Sequence, residues 1–218
     1  MLEFKIKVYF CQKFKEMSAA AAIAETRLLK PKEKVYTLLE YLAHEEHSVE
    51  KHEFVNGKII KMPGSKANHN EISANIIAAL KFTVRPLPKK FRILTSDQKI
   101  YIAPENRAVY ADALVVCEKL EFWQGREDLL VNPLLVVEVA SRSTRGFDRG
   151  DKFLLYEQLP SFLEYLLIEQ SRPQVESWFR EKPNTWNKTV EKDLTKSIEL
   201  RSLGVSISLA DIYENIEF

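Results

Sequence analysis

Leu134-Leu135-Val136-Val137-Glu138-Val139-Ala140 is an apolar run with a single carboxylate set in its middle. A run this short, apolar at consecutive positions, fits a strand covered on both faces better than an amphipathic element. Side chains alternate along a strand, so Glu138 shares a face with Val136 and Ala140, while Val137 and Val139 point the other way. An unpaired charge buried there would cost several kcal/mol, roughly, so something must pair with Glu138. Asp112 stands at the start of another apolar run, Ala113–Cys117, under the same constraint. Two acids on neighbouring strands repel unless a cation or a proton lies between them. A hard divalent cation such as Mg²⁺ prefers carboxylate and carbonyl oxygens and water, and would suit the pair. The competing reading is structural: each acid caps a strand end or pairs with a core Arg or Lys.

Downstream of the run, Asp148-Arg149-Gly150-Asp151-Lys152 opens a helical segment that reaches Gln158 and stops before Pro160. Asp148, Lys152 and Tyr156 fall at i, i+4 and i+8 and share one helical face. Lys152 is the candidate cation for Glu138. The spacing alone equally allows an exposed Asp148–Lys152 pair worth a few tenths of a kcal/mol, roughly.

Upstream, Thr37-x-x-Glu40 forms a capping box before Leu38, Leu39 and Leu42, which marks a short surface helix. Glu53–Ile60 carries Asn56-Gly57 between β-prone flanks, a hairpin signal because both turn residues take φ > 0. From His69, Ile72, Ile76, Ala79 and Leu80 recur at helical spacing up to Pro86. Phe91–Ile102, Val109–Cys117 and Pro133–Ala140 read as three strands, and Leu163–Glu169 as a fourth. Further strands are expected at Val175–Arg180, near Trp186 and at Val205–Leu209, with a short helix around Asp211. The order argues an α/β fold, one mixed sheet flanked by helices. Residues 35–218 are expected to form a single domain, preceded by an N-terminal extension, 1–34, partly disordered.

The 218 residues are 45% apolar and 29% charged, enough for one sizeable core. No apolar run approaches the roughly 20 residues of a membrane span, and no signal-peptide pattern opens the chain, so a cytoplasmic protein is expected. Two cysteines, Cys11 and Cys117, are too few for a disulfide framework or a cysteine zinc site. Net charge is +1, but residues 1–34 hold eight Lys/Arg against four Asp/Glu, leaving 24 against 27 in the other 184. That body is not a strongly basic nucleic-acid surface, so a polyanion would need a local patch or a metal ion. Nothing before Thr37 has a period that buries a face, so residues 1–16 are expected to be dispensable, with Met17-Ser18 an alternative start. Against this, Phe4, Ile6, Val8 and Phe10 alternate with Lys5, Lys7 and Tyr9, as in a lysine-protected edge strand.

From about Tyr36 to the C-terminus the chain resembles the Uma-two family of restriction-endonuclease-type proteins, within the PD-(D/E)XK nuclease superfamily. The matching stretches are Tyr36–Leu42, His52–Gly57, Met62 with Gly64 and Ser65, His69-Asn70, Tyr110-Ala111-Asp112, Val136–Val139, Ser143-Thr144 and Asp148-Arg149-Gly150-x-Lys152. The resemblance implies a restriction-endonuclease-like fold and a metal-dependent endonuclease using Mg²⁺ or Mn²⁺. It makes Asp112 and Glu138 the metal-holding acids, with the backbone carbonyl of Val139 as a further ligand. The superfamily lysine ordinarily stands two residues after the second acid, where this chain has Ala140; in the resembled family it comes from the next helix, as Lys152. Glu53 and His69 match positions that line the family's site. Three departures bear on loop geometry: Ala111 and Arg142 stand where prolines are usual, and Lys58 replaces an acid.

The resemblance further implies DNA as the polymer, and a homodimer because duplex cleavage commonly uses two sites. The alternative is a catalytically silent member kept as a nucleic-acid-binding or protein-interaction module, which the weakly acidic body favours. A small-molecule enzyme lacks any Gly-rich phosphate or cofactor loop to support it. A divalent ion or an ordered water cluster between Asp112 and Glu138 would favour the enzyme; a direct salt bridge filling the site would favour the silent protein.

Overall fold

A computed structural model describes residues 34–141 and 150–218. The two expectations for residues 1–16, and those for Arg142, Ser143-Thr144 and Asp148, lie outside the described residues. Thr37–Phe218 form one compact unit, and all that follows concerns it.

That unit opens with α1 (Leu38–His47), capped as the sequence predicts. The Glu40 N–H donates to Thr37 Oγ1 at 3.2 Å, and Glu40 Oε2 accepts the Thr37 N–H at 2.8 Å. β1 (His52–Val55) and β2 (Lys58–Lys61) pair as an antiparallel hairpin, turning at Asn56 (φ 46°) and Gly57 (φ 88°). α2 (Ala67–Val84) buries Ile72, Ile76, Leu80 and Val84, one per turn. Next come β3 (Phe91–Thr95), β4 (Lys99–Ile102), β5 (Arg107–Tyr110), β6 (Ala113–Cys117), the two-residue β7 (Leu129–Leu130) and β8 (Leu135–Ala140). α3 (Asp151–Glu157) precedes β9 (Glu164–Glu169), β10 (Val175–Lys182), β11 (Thr185–Glu191), β12 (Ser197–Leu200), β13 (Val205–Ser208) and α4 (Leu209–Ile212).

The strands form two mixed sheets and a ribbon rather than one sheet. The larger runs β11-β10-β9-β8-β6-β3, with β8 and β9 parallel; the second runs β2-β1-β5-β4-β7, and β12 pairs with β13 alone. Two expected strands are therefore each two. Phe91–Ile102 turns at Ser96-Asp97, and Val109–Cys117 breaks at Ala111-Asp112, so that in both cases one half joins each sheet. At the second break the Asp112 N–H donates to Val137 O at 3.1 Å, which anchors the crossing chain to β8.

All six residues of β8 are buried. Val137 and Val139 pack into a core with Ile72, Ile76 and Leu80 of α2 and with the β12–β13 ribbon. Val136 and Ala140 face a second core built from Phe153 and Tyr156 of α3 with Phe162 and Tyr165. Both faces of the strand are thus dry, and Glu138 lies on the α3 side. Among the described residues, no helix is long and apolar enough to cross a membrane.

Candidate active site

The seam between the two sheets opens into a cleft of about 720 Å³, lined by Glu53, His69, Asp112, Glu138, Val139 and Lys152 together with the β2–α2 loop. Five of these side chains come from five different pieces of the fold, and Val139 follows Glu138 on β8. Glu53 comes from β1, His69 from the first turn of α2, Asp112 from the break between β5 and β6, Glu138 from β8, and Lys152 from α3.

Glu138 is 3% exposed. Lys152 Nζ donates to both of its oxygens at 3.0 Å, and the Tyr156 hydroxyl donates to Oε1 at 2.8 Å. The ammonium also donates to the backbone carbonyl of Tyr110 at 3.1 Å and lies 4.0 Å from Glu53 Oε1. Lys152 is itself buried, so it is not half of an exposed surface pair. It reaches the face that Glu138 shares with Ala140, where the absence of a larger side chain leaves it room. Lys152 and Tyr156 are four residues apart, one turn of α3, which is why one helix face serves both contacts.

Asp112 is oriented by the strand next to it. Its Oδ2 accepts the Val139 N–H at 2.7 Å. In an extended strand the N–H and C=O of one residue point to the same side, so the Val139 carbonyl faces the Asp112 edge, beyond the end of β6. Asp112 Oδ1 lies 3.4 Å from His69 Nε2. Glu53 is tied in through the backbone: its Oε1 accepts the Tyr110 N–H at 3.4 Å. The side chains of Glu53 and His69 are 13% and 15% exposed, which excludes a hairpin surface residue and a solvated helix start.

Tyr156 was visible in the sequence as a residue on the lysine's helical face, but its hydrogen bond to Glu138 was not. Burial first, and then the Glu138 charge, hold its phenol well above the ordinary tyrosine range, so it keeps the proton that it donates to Glu138. Tyr110 contributes through its backbone, which no side-chain pattern reports.

The oxygen donors gathered here are those a hard divalent cation takes: two carboxylates and a peptide carbonyl facing one cleft. The cleft lining carries four carboxylates, Glu50, Glu53, Asp112 and Glu138, and three ammoniums, Lys51, Lys61 and Lys152; Lys61 pairs with Glu50 and Lys51 with Asp97, which leaves Glu53, Asp112 and Glu138 beside Lys152. This excess of negative charge suits a cation.

Comparison with known proteins agrees with the architecture. Residues 38–210 match the model of the Uma2 family, described as "Putative restriction endonuclease". The chain is 35% identical over 153 residues to the uncharacterized protein sll1609 of Synechocystis sp., covering 70% of this chain and 85% of that one. It is 31% identical over 179 residues to slr1290 of the same organism, covering 82% and 92%. A solved structure described as "a putative nuclease belonging to DUF820", from Anabaena variabilis, superposes with a TM-score of 0.63 at 16% identity, over 81% of this chain and 97% of the other. The family match spans the hairpin, the sheet switch, β8 and α3, the pieces that deliver the cleft residues, and on that ground the chain belongs to the Uma2 family with a mixed α/β, restriction-endonuclease-like fold.

Proposed function

We propose that this chain is a Mg²⁺- or Mn²⁺-dependent endonuclease that hydrolyses phosphodiester bonds, with DNA as its polymer and Asp112, Glu138 and Lys152 as its catalytic residues. The observation that carries the proposal is the convergence of five chain segments on one cleft, with a buried lysine paired to a buried glutamate. Membership of the Uma2 family supports a nucleic-acid substrate.

Asp112, Glu138 and the Val139 carbonyl would hold the ion. Bound there, it would supply Lewis acidity to a phosphoryl oxygen and lower the pKa of its water. The Val139 N–H keeps Asp112 in one rotamer, so the carboxylate is in place before substrate arrives. Tyr156 does the same for Glu138. Lys152 orients the attacking water or stabilises charge developing on the phosphoryl oxygens, and the Tyr110 carbonyl fixes where its ammonium sits. Glu53 and His69 border the same space and bear on the water and on the phosphate. Two such sites acting on opposite strands call for a homodimer, which sedimentation would detect, and the cytoplasm is the compartment that holds such a substrate.

A second reading has one observation in its favour. Lys152 contacts both Glu138 oxygens, so an ion must compete with a direct salt bridge. In a catalytically silent protein that bridge would be permanent. The deciding experiment is cleavage of plasmid and single-stranded DNA with Mg²⁺ or Mn²⁺, beside Glu138→Ala and Lys152→Ala. Cleavage by the parent that both variants lose supports the enzyme. DNA binding without cleavage under either ion overturns it in favour of the silent module.

A further inference from the structure

Outside the cleft, His44, Glu45 and His52 gather potential metal donors, with one ligand atom from each lying within 4.8 Å of the others. His44 and Glu45 sit in the last turns of α1, and His52 is the first residue of β1, so the short turn between helix and strand brings them together. Glu45 is the centre of the group, its side chain only 8% exposed. Its Oε1 is 2.8 Å from His52 Nδ1, and its Oε2 accepts the Tyr110 hydroxyl at 3.0 Å and the His52 N–H at 3.4 Å. The Tyr41 hydroxyl holds the other end of His52, donating to its carbonyl at 2.7 Å.

The carboxylate is held on both oxygens by these bonds, and the second imidazole of the group is that of His44. His44 packs edge-on against His52, with ring centroids 4.8 Å apart. At that distance both rings can turn a nitrogen to one ion. Two imidazoles and a carboxylate, with one position left to water, make a donor set suited to Zn²⁺ and poorly suited to Mg²⁺.

We infer that His44, Glu45 and His52 form a second metal site, selective for a borderline transition ion of the Zn²⁺ type and chemically distinct from the carboxylate and carbonyl donors of the cleft. The ion takes the place of the contact between Glu45 Oε1 and His52 Nδ1. Donors on a tetrahedral zinc stand roughly 3.3 Å apart, so the group has to contract, and the exposed His44 has room to turn inward. The Tyr110 hydroxyl then orients the ligating carboxylate from outside. The same Tyr110 carries the carbonyl that holds Lys152 and the N–H that holds Glu53, so the ion would brace one wall of the cleft.

The test is calorimetric titration of the full chain with Zn²⁺, repeated with Co²⁺ while the visible bands of a tetrahedral cobalt centre are followed. The parent and Asp112→Asn are expected to bind one equivalent with equal affinity. His44→Ala, an exposed change that leaves the Glu45–His52 bond in place, is expected to weaken binding about tenfold or more and to abolish the cobalt bands. Failure of the parent to bind Zn²⁺, or equal binding by His44→Ala, overturns the site. Loss of Zn²⁺ binding in Asp112→Asn overturns it too, because the ion then belongs to the cleft.

Discussion

Replacing Tyr156 by phenylalanine deletes one oxygen from the dry face of β8 and leaves the ring in place. Glu138 then loses a hydrogen-bond donor at a carboxylate that is 3% exposed, at a cost of about 1–3 kcal/mol measurable by urea denaturation. Lys152→Ala is more severe, because it strands a buried carboxylate; about 3–5 kcal/mol is expected. The double variant Glu138→Ala/Lys152→Ala should recover part of that loss, since neither charge is then left alone. If the double variant is as unstable as the sum of the two singles, the pair is not coupled as its 3.0 Å contacts require. Ala140→Leu fills the space Lys152 passes through, on a face that is 1% exposed, and should cost about 1–3 kcal/mol by overpacking while impairing cleavage. At this scale the sequence was informative where a residue violated its surroundings. Glu138 among valines demanded a partner, and a lysine within reach of its face could be named. The identity of Tyr110 as backbone partner to Lys152 could not, because every residue has the same N–H and C=O.

Elements were legible in proportion to their local signals. The Thr37–Glu40 capping box and the Asn56-Gly57 turn lie where the sequence puts them, since each rests on bonds or dihedrals within four residues. Gly57 sits at φ 88°, so Gly57→Ala should strain the turn by about 1–2 kcal/mol and loosen the strand that carries Glu53 into the cleft. Thermal unfolding gives the first effect, and the cleavage rate gives the second. The break at Ala111-Asp112 is the opposite case. Val109–Cys117 is uninterrupted by Gly or Pro and reads as one strand, and the change of sheet follows from which neighbours each half meets. Ser96-Asp97 did offer a polar turn signal inside Phe91–Ile102. β7, with two residues, is below the length at which any period can be detected.

Across the whole molecule, burial lifts the phenols of Tyr41, Tyr110, Tyr156 and Tyr213 above the ordinary tyrosine value of about 10. The unfolded chain releases those protons from about pH 10 upward while the folded chain keeps them. Stability from this source is therefore constant below that pH and falls as pH rises above it, by about 1.4 kcal/mol per pH unit for each tyrosine held protonated. The urea midpoint should decline from about pH 10, and less steeply in Tyr156→Phe. The two-sheet arrangement has another consequence, which comes from Tyr110, the last residue before the chain changes sheet. Its main chain serves Lys152 and Glu53, and its hydroxyl serves Glu45. A substitution at position 110 by any residue but proline alters only the last of these, since the peptide groups stay whatever side chain they carry. Descendants of this chain can therefore gain, lose or exchange the chemistry around Glu45 by mutation at this position, and the peptide contacts that frame the cleft are passed on unchanged.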